Sequence, residues 1–284
     1  MIIVAHTPAE VREIVDAWKV QNLSIGLVPT MGFLHEGHAS LIKKAREEND
    51  RVIVSDFVNP IQFGPSEDFE AYPRDFEADK ALCEELGADM IFNPEAPDMY
   101  AENFSTYVNV DEITDVLCGA KRPGHFKGVC TVVSKLFNIS GADRAYFGQK
   151  DAQQLAVIRR MVRDLNFPIE IVGCPIIRED DGLAKSSRNT YLNEAERKAA
   201  LVLNRSLQKG MELILDDGID DAKTVKDAIR MEIEQEGLAM IDYIEIVEWD
   251  SLANVNKIDG PVLCAIAVYI GKTRLIDNFI VGEV

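Results

Sequence analysis

Two histidines three positions apart, His35 and His38, flank Gly37 in the run Val28-Pro29-Thr30-Met31-Gly32-Phe33-Leu34-His35-Glu36-Gly37-His38. An apolar, β-type stretch over 24–28 enters this run. From about His38 the residues Ala39, Leu41, Ile42 and Ala45 recur at helical spacing. A strand turning into a helix gathers backbone N–H groups and the positive end of a helix dipole, so the turn is an anion site. Gly37 lets a phosphate come close to the backbone, and the imidazoles can donate to its oxygens. The zinc-protease pattern is H-E-x-x-H, with a spacing of four, and does not match. A metal pair or an ordinary polar-capped junction are the other readings of the bare motif.

Two later segments have the same chemical character. Gly148-Gln149-Lys150-Asp151 opens a helix straight after a strand: Gly148 permits a tight turn, Lys150 is a point charge for phosphate, and Asp151 can cap the helix or accept from a ribose hydroxyl. Read without context, the same four residues also suit a capped helix with a solvated lysine. In Lys185-Ser186-Ser187-Arg188-Asn189 two cations flank two hydroxyls, the composition of a phosphate clamp on a flexible loop. Gln62 and Gln154 are neutral amides suited to a substrate with hydroxyl and carboxylate groups. His125 reads as a loop residue whose neighbours Arg122 and Lys127 attract anions, and His6 reads as structural.

The elements that position these groups alternate. Strands are expected over 1–5, 24–28, 51–58, 90–92, 144–147 and 169–172, with helices over 8–20, 38–49, 76–86, 128–139 and 150–165. This is an α/β pattern: a doubly wound, parallel-sheet, Rossmann-like N-terminal domain over 1–175. Ligands bind such sheets beyond the carboxyl ends of the strands. His35/His38, Asn59/Gln62 and Gly148/Lys150 each follow a strand and are expected on one rim. Past Pro175 the pattern becomes two charged helices, 193–215 and 222–236, then strands over 243–247, 262–269 and 275–281. These form a smaller α+β C-terminal domain, 176–284, that carries the K-S-S-R-N loop.

Composition narrows the function classes. Against 48 Asp and Glu stand 30 Lys and Arg, a net charge of −18, which argues against a broad nucleic-acid surface. Cys83, Cys118, Cys130, Cys174 and Cys264 are scattered without a C-x-x-C pair and read as buried thiols. The longest apolar run, 262–270, is too short to span a bilayer, and the start lacks a basic leader. The expectation is a cytoplasmic protein with no membrane partner.

Five segments occur in order between residues 28 and 189: V-P-T-M-G-F-L-H-E-G-H, F-V-N-P-I-Q-F-G-P-S-E-D-F-E-A-Y-P-R, R-P-G-H-F-K-G-V, Y-F-G-Q-K-D-A-Q-Q and D-G-L-A-K-S-S-R-N. A closing T-R-L-I-D-N extends the pattern over nearly the whole chain. Together they resemble the pantoate–β-alanine ligase (pantothenate synthetase) family of the H-x-G-H nucleotidyltransferase superfamily. The resemblance implies a two-step reaction. The pantoate carboxylate attacks the α-phosphate of Mg-ATP to give pantoyl adenylate and pyrophosphate; the amine of β-alanine then releases pantothenate and AMP.

Roles follow from the resemblance, position by position. Met31, Gly32, Phe33, Leu34, His35, Glu36, Gly37 and His38 hold ATP, with both histidines on phosphates. His38 stabilises the α-phosphoryl transition state or protonates the leaving pyrophosphate. Gly148, Gln149, Lys150 and Asp151 hold adenosine and phosphate, Ile177 lies beside the base, and Lys185, Ser186, Ser187 and Arg188 close on the β- and γ-phosphates. Gln62 and Gln154 bind pantoate, Gln62 also lying near β-alanine. His35, His38, Lys150 and Arg188 form the expected catalytic set. The ligands of Mg²⁺ are not assigned, although the spacing from Tyr72-Pro73-Arg74 makes Asp79 a candidate contact. A homodimer through the first domain is also implied. The chain departs from the family pattern at Lys185 (usually Met or Leu), at Gln149 (often Glu) and at Asp56, an apolar position whose burial is thereby in question. Two rivals are a nucleotidyltransferase that releases a nucleotidylated product and a non-catalytic nucleotide-binding scaffold. Charge and the small C-terminal part disfavour a tRNA synthetase.

Overall fold

The alternation of strands and helices yields the expected parallel sheet. The computed structural model describes residues 2–65 and 67–282; Met1 of the expected first strand and Ser66 of the second matched segment lie outside these. β1 (Ile3–Ala5) leads to α1 (Pro8–Val20), where Thr7 Oγ1 accepts from the Glu10 N–H and the Glu10 carboxylate accepts from the Thr7 N–H. β2 (Ile25–Thr30), α2 (Glu36–Glu48), β3 (Arg51–Asp56), α3 (Phe76–Glu85) and β4 (Met90–Phe92) follow. After short helices α4 (Ala96–Met99) and α5 (Leu117–Lys121) come α6 (His125–Ser140), β5 (Arg144–Gly148), α7 (Ala152–Asp164) and β6 (Glu170–Cys174).

The strands lie in the order β1-β4-β3-β2-β5-β6, every pair parallel. From the adjacent pair β2 and β5 the chain winds outward in opposite directions. The turns after these two strands therefore flank the topological switch point, where open α/β sheets bind ligands. β2 and β3 are buried almost throughout, as strands covered on both faces must be. Ala39, Leu41, Ile42 and Ala45, the apolar face read in α2, are its buried residues.

The chain packs as two units. One comprises residues 1–111, 122–149 and 157–175; the other comprises 112–121, 150–156 and 176–284. The linear division at 175/176 omits the two earlier segments of the second unit, and Gln153 shows why they belong there. Its Oε1 accepts from the Cys118 N–H at 2.9 Å, and its Nε2 donates to the carbonyls of Ile113 (2.9 Å) and Val116 (2.8 Å). Asn278 Nδ2 likewise donates to the Lys150 carbonyl at 2.9 Å.

In the second unit, α8 (Glu194–Ala199), α9 (Leu201–Leu215) and α10 (Ala222–Ile233) precede an antiparallel sheet of β7 (Ala239–Glu248), β8 (Val262–Ile270) and β9 (Thr273–Val281), in that order. The single helix expected over 193–215 is broken at Ala200, where the Leu203 N–H bonds to the carbonyl three residues back and tightens the turn. Val202, Leu203 and Leu207 of α9, Val225, Ile229 and Ile233 of α10, and Ile266 and Val268 of β8 belong to this unit's core. All five cysteines are free and buried. Among the described residues no helix is long and apolar enough to cross a membrane.

Candidate active site

In the first unit the turn after β2 is held from below. Gly32 (φ +76°) and Phe33 (φ +52°) adopt left-handed backbone, and the Gly32 N–H donates to Thr30 Oγ1 at 3.2 Å. The amides of Phe33 and Leu34 donate to Oδ2 and Oδ1 of Asp79, each at 2.6 Å. The helix begins at Glu36, two residues earlier than its apolar periodicity predicts, because His35 is its N-cap. Gly37 N–H donates to His35 Nδ1 at 3.1 Å, and His35 N–H donates to His38 Nδ1 at 3.2 Å. The two rings lie 4.1 Å apart between centroids.

This arrangement corrects the expectation of free backbone amides. The amides of residues 32, 33, 34, 35 and 37 all have partners within the protein. The donors this turn can still offer are on its side chains. An Nδ1 that accepts a hydrogen bond leaves the ring proton on Nε2, so the Nε2 edge of each histidine is a donor. The Mg²⁺ contact suggested for Asp79 is corrected as well. Asp79 is 4 % exposed and both its carboxylate oxygens accept from backbone amides, so it anchors the turn.

Beyond β3, Asn59 organises Gln62. Asn59 Nδ2 donates to Gln62 Oε1 (2.9 Å) and to the Gly128 carbonyl (3.2 Å), while its Oδ1 accepts from the Tyr100 hydroxyl (2.7 Å). The Gln62 amide is thereby oriented, its Nε2 lying 3.1 Å from Met31 Sδ. Gly128 permits this packing, since a Cβ there would lie 2.5 Å from Gln62 Cα. His125 starts α6 and is not a loop residue: Arg122 donates to its Nε2 (3.0 Å), and the ring donates from Nδ1 to the Gln62 carbonyl (2.9 Å). Arg122 is paired with Glu67 through two bonds of 2.7 and 2.6 Å, and Lys127 lies over the Tyr107 ring. The anion-attracting role read for both is therefore not supported.

Gly148 and Gln149 end the β5 turn in the first unit; Lys150 and Asp151 belong to the second, on the 3₁₀ turn Gln149–Asp151 that precedes α7. The half-buried Lys150 ammonium makes no hydrogen bond or ion pair among the described residues, nor does the half-buried Gln154 amide. Residues 177–185 form a hairpin that leads into the K-S-S-R-N segment. Glu179 N–H bonds to the Leu183 carbonyl (2.8 Å) and Lys185 N–H to the Ile177 carbonyl (2.9 Å), around Gly182 at φ +95°. Ile177 and Lys185 are thus brought side by side. Ser186 caps the 3₁₀ turn Ser187–Tyr191, accepting from the Arg188 N–H at 3.3 Å. Asn189 Nδ2 donates to Glu179 Oε1 (3.0 Å) and the Ala184 carbonyl (3.1 Å), and Arg197 donates to Glu179 Oε2 at 2.7 Å. Although burial works against it, the hydrogen bonds from Arg197 and Asn189 hold the Glu179 carboxyl below its ordinary range. Arg178 grips the buried Asp277 of β9 through bonds of 2.6 and 3.0 Å.

The sequence model of the pantoate-beta-alanine ligase family matches residues 3–280. A pantothenate synthetase of Clostridium botulinum (strain Kyoto / Type A2) is 62 % identical over 276 residues, which are 97 % of this chain and 98 % of that protein. The chain belongs to the pantoate–β-alanine ligase family. The crystal structure of pantothenate synthetase from Thermus thermophilus superimposes with a TM-score of 0.93 at 44 % identity, covering 98 % of this chain and 99 % of that one. The pantoate–β-alanine ligase of Francisella tularensis, solved in complex with "Beta-gamma ATP" and β-alanine, has a TM-score of 0.80 at 35 % identity, with 98 % and 97 % covered.

For a ligase of this family, sequence reading missed residues that orient the others: Tyr100, Glu179 and Arg197 have no motif of their own. Asn59 was expected on the rim from the N-P after β3, though not as the group that holds Gln62, and Tyr100 becomes relevant only because it bonds to Asn59.

Proposed function

We propose that this ligase works through an enzyme-bound pantoyl adenylate. A carboxylate oxygen of pantoate attacks the α-phosphorus of Mg-ATP; the bond to the bridging β-phosphate oxygen breaks, and pyrophosphate leaves with magnesium. The β-alanine amine then attacks the acyl carbon. The C–N bond forms, AMP departs with the electrons of the C–O bond, and the amine nitrogen loses a proton. The first step transfers little proton and depends on alignment and charge neutralisation.

In this reading His35 and His38 donate from Nε2 to phosphate oxygens, Lys150 adds a point charge, and Lys185, Ser186, Ser187 and Arg188 engage the β- and γ-phosphates. Met31 to Leu34 and Gly148 to Asp151 frame the nucleotide, with Ile177 beside the base. Gln62 and Gln154 receive pantoate. The observation that carries the proposal is the reciprocal tie of the two imidazoles, whose Nδ1 atoms take backbone amides. The two ligands named for the Francisella enzyme correspond to the nucleotide and the amine that the reading requires. Mg²⁺ enters as part of Mg-ATP; among the described residues no three His, Cys, Asp or Glu side chains gather as a metal site. The reading includes a cytoplasmic homodimer, which sedimentation velocity and cell fractionation examine directly.

Exchange of labelled pyrophosphate into ATP tests the intermediate. Exchange is expected with pantoate and Mg²⁺ present and β-alanine absent. No exchange from folded protein under those conditions, while pantothenate still forms once β-alanine is added, rejects the adenylate.

A further inference from the structure

At the end of β3 the Asp56 side chain points under the turn after β2. It is 7 % exposed and receives no hydrogen bond from any described residue. A Cβ built on Gly32 would lie 2.3 Å from Asp56 Oδ1 and 3.1 Å from Asp79 Oδ2, so two buried carboxyl groups approach the same glycine. Only one of them has donors: Asp79 accepts from the Phe33 and Leu34 amides. Two buried carboxylates this close do not both ionise freely, and hydrogen bonds to the charged form decide which keeps the charge. The charge therefore stays on Asp79 and the proton on Asp56.

We infer that Asp56 is a positioning residue for the turn: uncharged, it packs against Gly32 and leaves Asp79 to grip the Phe33 and Leu34 amides; charged, it opposes that grip. The inference rests on the assignment of this turn to ATP for its catalytic consequence, though not for its structural one. A second negative charge beneath a triphosphate site also weakens anion binding directly.

The surroundings fit this reading. Burial first, and Asp79 second, push the Asp56 carboxyl up to about 7. Burial also raises Asp79; the Leu34 and Phe33 amides pull it back, and Asp75 pushes it up again. Cys83 of α3 is the other titratable group facing the pair, and burial with both aspartates drives its thiol up to about 12, so it stays neutral. In the sheet, Thr30 of β2 is the register partner of Asp56, and Phe92 of β4 pairs with the preceding Ser55; neither titrates. The turn adds only Met31, Gly32, Phe33 and Leu34 before the next titratable groups, His35 and His38.

The test compares wild type, Asp56→Asn and Asp56→Val; the second variant serves if the first does not fold. Amide hydrogen exchange at residues 32–35 is followed in the ligand-free protein across neutral pH and corrected for intrinsic exchange. KM for ATP is measured over the same range. Protection of Phe33 and Leu34 in wild type is expected to fall by roughly an order of magnitude between about pH 6 and about pH 8.5, with a parallel rise in KM for ATP and a steadier kcat. Either variant should show flat corrected protection and a smaller rise in KM. The same pH response of protection in wild type and variants overturns the inference. A wild-type protection change that the variants lack, with KM for ATP unmoved, upholds the role of Asp56 and rejects the ATP assignment of the turn.

Discussion

His35 and His38 cap each other's backbone, and that fixes what their rings can do. A ring nitrogen that accepts an amide proton forces the imidazole proton to the far nitrogen, so each histidine is set as a donor while still neutral. A donor aimed at developing phosphoryl charge, or a proton for the departing pyrophosphate, contributes about two to four orders of magnitude. His38→Ala is therefore expected to lower kcat by about that factor. It also removes the acceptor for the His35 N–H at a helix N-terminus, which costs about 1 kcal/mol. Steady-state kinetics beside thermal unfolding separates the two effects, and near-normal turnover rejects the role. The spacing of the pair was legible in the sequence. Its tautomer was not, because that depends on which backbone amide each ring faces.

At the scale of elements, close packing positions Gln62 in the first unit, and a hairpin positions Ile177 and Lys185 in the second. α6 approaches the 3₁₀ turn Pro60–Gln62 so closely that a Cβ at Gly128 would meet Gln62 Cα at 2.5 Å and Gln62 N at 2.7 Å. These are backbone atoms and cannot swing aside. Gly128→Ala is expected to cost about 1–3 kcal/mol, the range for overpacking, and to displace the Gln62 amide. Thermal denaturation and KM for pantoate read the two consequences. An unchanged melting temperature would show that α6 yields. The hairpin over 177–185 leads into the K-S-S-R-N segment, which is itself ordered from Ser187 as a 3₁₀ turn. The hairpin's turn residues, Asp180-Asp181-Gly182, are a local pattern, but its anchors, Arg178 on Asp277 and Asn189 on Glu179, span 99 and 10 residues. Local patterning carries no information about such partners.

For the whole molecule, the two units share a chain that crosses between them more than once. A break placed at 175/176 separates 112–121 and 150–156 from the rest of their unit, because Gln153 and Asn278 hold backbone atoms of those segments. pH dependence is also a whole-molecule property, and Asp56 gives it a sign. Its folded-state value of about 7 lies well above the unfolded value, so the native state binds more protons in between. The contribution is full below the unfolded value and is lost as pH rises through about 7. Asp79, also raised, acts in the same direction. Glu67 and Glu179 are lowered and act oppositely, losing stability as pH falls through their depressed range. Asp56→Asn is expected to stabilise the protein progressively as pH rises from the unfolded value through about 7, by an amount on the order of a few kcal/mol at most, and to have little effect only near about pH 4 and below. Melting curves across pH check this, and a constant offset between the proteins contradicts it.

The order of elements, the apolar faces and the chemistry-bearing turns were set by the sequence itself. Periodicity and turn residues act over a few positions, and the five matched segments carry their own spacing. The helix starts moved by two or three residues, to Glu36 and His125, because capping side chains and a left-handed Gly124 decide where a helix opens. Tertiary structure alone decided that Asp79 anchors the turn, that Asn59 orients Gln62, and that Asp56 lies buried against Gly32. Each depends on groups brought together by the sheet from distant parts of the chain, where burial and the presence of a donor determine which charges persist.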